Sequence, residues 1–499
     1  MKKTLFFAVP ALVLLLAACN NGNSGGGTPS RDFYAVNNVN LEYYKLTADC
    51  LAENDYCMVY ADQKANVDSA VAQNIADVYE SRIHGPITDT FGGIMDMDEN
   101  GKVIFLLLDI LDGSTGGGYI AGYFYSLDMM KKSEDPSTQA YYSNEADMLY
   151  IDTNPGLQSM GSLFSTMAHE LQHLINYSAT TARDGREPDV WINEGLSTAA
   201  EFIYGRNSSR PNEIYLSGTS ITGDPNGRLI VYSDPNSKNY NYSIRNGNNF
   251  YVWNGWWERE GDPDYGDLGD YATVYLFFQW LRAHASNGTG IYKEIVNSSY
   301  RDYRAVTSIV SQRFTTYPPP GLLTGGIRPE DWDSVLRSWL LANFIKQDAG
   351  LYGYNGAVEH SLIYRIFHDP MESPWSFAPG EAIYSQLDSD ELVTIYSDHV
   401  KYVPIAGDFT PGDVVQSDTT TVTGKYLLTY NWNTTIASDD EFGDVFNLSA
   451  GLLANRLLNE GGGGASWGYL PGNYPVDRDT MARLREGKKP AGRLSKHAR

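Results

Sequence analysis

Residues Ser162 to Thr181 read SLFSTMAHELQHLINYSATT. Two histidines and a glutamate stand inside an otherwise apolar run with the periodicity of a helix. His169 and His173 are four residues apart, so they share one helix face about a turn from each other. Both imidazoles can then point at one metal ion, while Glu170, one step round, reaches a water held there instead of the ion. The five-residue pattern HExxH also arises by chance, as two helix histidines meeting ordinary partners, so the surrounding sequence has to decide.

A hydrolytic zinc site needs a third protein ligand and keeps one position for water. A metzincin would carry glycine at 176 and histidine at 179, but Asn176 and Ala179 stand there, which excludes that arrangement. Downstream lies VWINEGLSTAAE, Val190 to Glu201, separated from the first helix by a polar loop containing Asp184-Gly185. Such a loop lets a second helix return antiparallel to the first, so that Glu194 faces the two imidazoles. Glu201, seven residues on, lies on the same helix face and can accept a ring N–H from a ligating histidine.

HELQH followed by WINEGLSTAAE resembles the gluzincins, zinc peptidases whose third ligand is a glutamate. The second block is similar to the M1 aminopeptidase branch, Trp-Leu-Asn-Glu-Gly with a further glutamate seven residues after the ligand. Motif, spacing and chain order also resemble the M30 hyicolysin-like peptidases of exported bacterial proteins. The motifs cover His169 to Glu201, with looser similarity from Tyr60 to Leu281. The resemblance implies a zincin-like core, zinc on His169, His173 and Glu194, Glu170 as catalytic base, and Glu201 behind the ligands. It also implies a later tyrosine or histidine that donates to the oxyanion. GDYATVYLFFQWL is similar to the M1 segment whose tyrosine opens a helix, making Tyr271 the candidate and Tyr275 the reserve. With 36 tyrosines in 499 residues, a helix-start tyrosine that merely packs is the competing explanation. His284 and His360 are alternative donors without a supporting motif.

The M1 Gly-Ala-Met-Glu-Asn element, which holds a free amine, is missing, so exopeptidase specificity does not carry over. An edge strand near Met148-Leu149-Tyr150 is expected to pair with extended peptides, which favours an endopeptidase. Two other readings compete: a zinc aminopeptidase, and a surface lipoprotein that binds host or matrix proteins without catalysis.

The net charge of −24 argues against nucleic-acid partners, because phosphate binding needs clustered Lys and Arg. MKKTLFFAVPALVLLLAAC has a basic start and an apolar stretch too short to span a bilayer. Its end, Leu16-Ala17-Ala18-Cys19, resembles the bacterial lipoprotein box, which implies a lipidated Cys19, export, and anchoring at the outer membrane or cell surface. The membrane is then met through the lipid alone. In an oxidising compartment, Cys50 and Cys57 of CLAENDYC are expected to close a small disulfide loop.

DMDENG, Asp96 to Gly101, matches the first half of a calcium loop, but Leu107 occupies the position of the acidic twelfth residue. A polar turn is the commoner explanation, with calcium a secondary candidate. Gly116 to Gly118 lack the Lys-Ser/Thr of a phosphate loop. Trp253, Trp256 and Trp257 are read as a local cluster in a long loop, or as cleft lining.

Strands are expected between Glu42 and Asp62, at Val103–Leu108 and in ADMLYID, with a helix ending near Gly85-Pro86. Further helices are expected through Tyr177, from Trp191 to Tyr204 and from Tyr271 to Ala285. This order predicts an α+β fold: a mixed sheet with the HExxH helix, a helical subdomain and a small C-terminal β domain. The expected divisions are a signal peptide (1–18), a tether (19–30), an N-terminal α+β part of the core (31–205) and a mainly helical part (206–353). A β-rich domain (354–460) and a disordered tail (461–499) follow.

Overall fold

The computed structural model describes residues 29–113, 119–158, 160–207, 268–315 and 329–358, together with five strands between 382 and 431. The leader, Cys19, Gly116–Gly118, the three loop tryptophans, His360 and the tail lie outside the described residues. Among the described residues, no helix is long and apolar enough to cross a membrane.

The described residues begin with an antiparallel meander, β1 (Ser30–Asn37), β2 (Glu42–Glu53) and β3 (Cys57–Asp62). Asp68 caps α1 (Ser69–Val78) by accepting the Ala70 N–H at 2.8 Å. A π-helical turn, Tyr79–His84, then passes into α2 (Gly85–Phe91). The helical path therefore continues past the expected stop, because Pro86 falls in the first turn of α2, where its missing N–H costs nothing. β4 (Val103–Leu108), β5 (Gly122–Phe124) and β6 (Met148–Asp152) complete a six-stranded mixed sheet in the order β1-β2-β3-β4-β6-β5. β3, β4 and β6 run parallel to one another, and β5 lies antiparallel on β6. Every residue of VIFLLL in β4 is buried, as a central strand covered on both faces must be.

β6 is not the sheet edge that the sequence suggested. The three-residue β5 covers it and forms the edge itself, pairing Gly122 with Ile151 and Phe124 with Leu149.

One face of the sheet is covered by α1, packed on β2 and β3, and by α3 (Met160–Ala179), packed on β5 and β6; the short α4 (Thr181–Asp184) and α5 (Val190–Asn207) pack against α3, and α6 (Leu268–His284) against α5. They are followed by α7 (Gly290–Val296), α8 (Arg304–Arg313) and α9 (Pro329–Ile345). β7 (Ala382–Gln386), β9 (Val400–Ile405) and β11 (Tyr426–Asn431) form a three-stranded sheet, and β8 (Glu391–Thr394) pairs with β10 (Thr419–Val422). Ala382, Val403, Leu428 and Tyr430 join the apolar core of the helices, and the Tyr430 hydroxyl donates to Asp333 at 2.7 Å. The architecture is α+β, a mixed sheet with helices, as the sequence indicated.

The expected Cys50–Cys57 bridge does not form, and Cys57 is a buried free thiol. The register of β2 on β3 shifts between Cys50 and Ala52. That irregularity turns Ala52 to the helix-covered face while Cys50 stays on the opposite one, with Phe33 and Ala48. Cys57, beside Val59 and Ala61, belongs to the helix-covered face. Thiols on opposite faces of a sheet cannot meet disulfide geometry. Burial pushes the Cys57 thiol up to about 12.

α5 and α6 approach closely at Gly195, where an added Cβ would overlap the ring of the fully buried Phe278. Gly195→Ala gains about 1 kcal/mol of helix propensity, but overpacking a dense core costs about 1–3 kcal/mol. An overlap with ring carbons lies at the upper end of that range, so the clash wins. The variant is expected to melt several degrees lower in a calorimetric scan; an unchanged or higher Tm would mean that α6 stands further from α5.

Candidate metal centre

The site is assembled where α3 crosses α5. Almost the whole length of α3 is buried, from Gly161 to Asn176, so its histidines sit in protein and not at a solvated surface. The His169 and His173 rings lie 4.8 Å apart between centroids, at 77°. From α5, Glu194 Oε2 stands 3.3 Å from His169 Nε2 and 3.6 Å from His173 Nε2. Both Nε2 atoms thus face a single carboxylate at the point where an ion would sit. Ligand atoms of His169, Glu170 and His173 all lie within 4.8 Å of one another.

The other ring nitrogens are held from behind. Glu201 Oε1 lies 2.7 Å from His169 Nδ1. His173 Nδ1 meets Asn193 Oδ1 at 3.1 Å and Ser197 Oγ at 3.0 Å. The Asn176 amide nitrogen donates to that same Asn193 oxygen, which fixes the Asn193 side chain with its acceptor toward the imidazole. Ser197 in turn donates to Gln172 Oε1 at 2.6 Å. One histidine is therefore backed by a carboxylate and the other by neutral groups. With N–H at Nδ1, each ring turns its Nε2 lone pair into the site.

Glu170 is almost fully buried, and its Oε2 accepts the Phe124 N–H of β5 at 3.0 Å. Burial pushes its carboxyl up to about 8, although neighbouring His169 pulls the other way. Burial alone would lower His169, but its hydrogen bonds to the Glu194 and Glu201 carboxylates raise it to about 9. His173 is held well below its ordinary value by burial and by the charge of His169. His173 Nε2 and Glu170 Oε1 are buried polar atoms that no hydrogen bond satisfies among the described residues. Two imidazoles, a carboxylate and such orphaned atoms in a buried site fit a divalent cation of the zinc type.

The loop joining the two helices is pinned by Arg301, of which 8% is exposed. Its guanidinium contacts Asp184 Oδ2 at 2.7 Å, and its carbonyl accepts the Asp189 N–H at 2.7 Å. Asp189 opens α5 by accepting the N–H groups of Ile192 and Asn193. This explains how a polar loop sets the approach of Glu194 to the histidines.

Tyr271 is the fourth residue of α6, and its side chain lies outside the described residues. Tyr275, one turn on, is buried. His284 is committed elsewhere, its Nε2 donating to the Gly353 carbonyl at 2.9 Å while Nδ1 meets Asn355. At DMDENG, Asp96 accepts the N–H groups of Asn100 at 3.0 Å and Gly101 at 2.9 Å, so the turn closes on its own hydrogen bonds. Asp147 brings a third carboxylate oxygen within 4.8 Å of those of Asp96 and Asp98, an acidic cluster that by itself assigns no calcium.

Asn193, Ser197, Gln172 and Asn176 are the site residues that sequence reasoning missed. Asn193 directly precedes Glu194, and its place in INEG was the one available signal.

No family model matches the chain. It is similar to the neutral metalloprotease ShpI of Staphylococcus hyicus, 29% identical over 348 residues that cover 67% of this chain and 67% of that protein. By that relationship the chain is an enzyme, a hydrolase related to metalloproteases.

Proposed function

We infer that the chain is a zinc metalloendopeptidase of the gluzincin type, close to the M30 peptidases, exported and held at the outer membrane or cell surface through a lipidated Cys19. The observation that carries the catalytic reading is the convergence of His169, His173 and Glu194 beside a buried Glu170 at the sheet edge.

His169, His173 and Glu194 would hold the zinc. When bound, zinc acidifies a water toward neutral pH and polarises the substrate carbonyl. Glu170 takes the proton as the water attacks the peptide carbonyl and passes it to the leaving amine. Tyr271 is assigned the hydrogen bond to the oxyanion. Glu201 and the Asn193–Ser197 pair keep both imidazoles in the tautomer that ligates. The substrate is a protein or peptide in extended form, received along the open side of β5.

Metal analysis with a casein assay, with and without chelator, tests this reading. One zinc per chain, chelator-sensitive cleavage, and restoration by added zinc are the expected results. Cleavage of a terminally blocked protein at internal bonds is expected as well, whereas activity confined to free N-termini would point to an aminopeptidase. A chain that holds no zinc and cleaves nothing would support a binding protein instead.

A further inference from the structure

The edge strand brings an aromatic side chain to the catalytic carboxylate. Phe124 gives its N–H to Glu170, so that N–H points away from β6, toward the open edge. Gly122, two residues earlier on the same face of β5, has no room for a Cβ between Thr166 of α3 and the Tyr150 carbonyl. The side chain of Phe124 therefore also stands on the α3 face, where it packs half-buried against the core. Its neighbour is Tyr177, one turn beyond His173 on the same face of α3 and also half-buried, with ring centroids 5.7 Å apart at 58°. An extended peptide laid along β5 places one residue opposite Phe124, with its side chain on this face. Because the Phe124 amide touches the base, that residue flanks the bond to be cut.

We propose that Phe124 and Tyr177 form a specificity subsite that selects a large apolar side chain, aromatic or leucine-sized, on the substrate residue flanking the scissile bond. Two tilted aromatic rings offer apolar contact and edge-to-face packing, and they give a carboxylate no partner. The assignment rests on the peptidase reading above.

The test compares internally quenched peptides that differ only at this position, carrying Phe, Leu, Ala or Asp. The zinc-loaded wild type is expected to favour Phe and Leu over Asp by at least about 10-fold in kcat/KM. Phe124→Ala and Tyr177→Ala should flatten that preference by about 10-fold while zinc content stays the same, and Tyr177→Phe, which retains the ring, should retain the preference. Binding of the Phe peptide to Glu170→Gln, measured by calorimetry, should weaken about 10-fold when Phe124→Ala is added. Unchanged profiles in both alanine variants, or unchanged binding when Phe124→Ala is added to Glu170→Gln, would overturn the subsite. A wild type that holds zinc but cleaves no peptide would overturn the peptidase reading, and the subsite with it.

Discussion

Glu170→Gln is expected to lower kcat/KM on peptide substrates by about 10²–10⁴-fold, the usual contribution of a positioned general acid–base group. Zinc content should stay at one per chain. Glutamine has the shape of the glutamate it replaces, and its amide oxygen can still accept the Phe124 N–H that Glu170 accepts at 3.0 Å. The fold contact therefore survives and only the proton acceptor is lost. The variant should be at least as stable as the wild type, because a carboxylate burdened by burial gives way to a neutral amide. Metal analysis, a melting curve and single-turnover kinetics on one preparation separate these effects. Full activity with zinc bound would remove Glu170 from the mechanism.

The HExxH half of the site was legible because its geometry is local. A four-residue spacing on a helix dictates which side chains share a face, whatever the rest of the chain does. The α5 half depends on a long-range fact, the angle at which the second helix returns. The sequence offered only a polar loop there; the restraint comes from Arg301, more than a hundred residues downstream, which holds Asp184 and Asp189. The contacts His169–Glu201, His173–Ser197 and Asn176–Asn193 run in opposite chain directions, but nothing local to the loop enforces that return.

Two misreadings share a cause. Period-2 alternation assigns faces only while a strand stays regular, and the shift between Cys50 and Ala52 separates two cysteines that sequence spacing pairs. Likewise, Gly122–Phe124 is too short to show alternation, so β6 looked like the edge while β5 occupied it. Asn193 and Ser197 escaped notice because neutral amides and hydroxyls carry no spacing rule of their own. They matter here through one buried imidazole that needs a hydrogen-bond partner.

Two carboxylates touch His169, and they should respond differently to removal of charge. Glu194 meets the ring at Nε2, at 3.3 Å, and also reaches His173 at 3.6 Å; Glu201 meets Nδ1 alone, at 2.7 Å. Only Glu194 stands where both imidazoles converge, so on the proposed reading Glu194→Gln removes a metal ligand while Glu201→Gln weakens the hold on one. Loss of an outer partner typically costs 10–100-fold in metal affinity. Glu201→Gln is therefore expected within that range, and Glu194→Gln beyond it, with activity falling in the same order. The metal-free chain offers a second reading of the pair. Burial opposes a charge on His169, and Glu194 and Glu201 together overcome it, raising the group to about 9. A raised folded-state pKa stabilises fully below the ordinary histidine value near 6.5, and that contribution is lost as pH rises through about 9. Metal-free wild type should thus lose stability between those limits in denaturant titrations, and metal-free Glu194→Gln should lose less. Equal zinc affinity in the Glu194→Gln chain and the wild type would exclude Glu194 as a ligand, however close its carboxylate lies to the two rings.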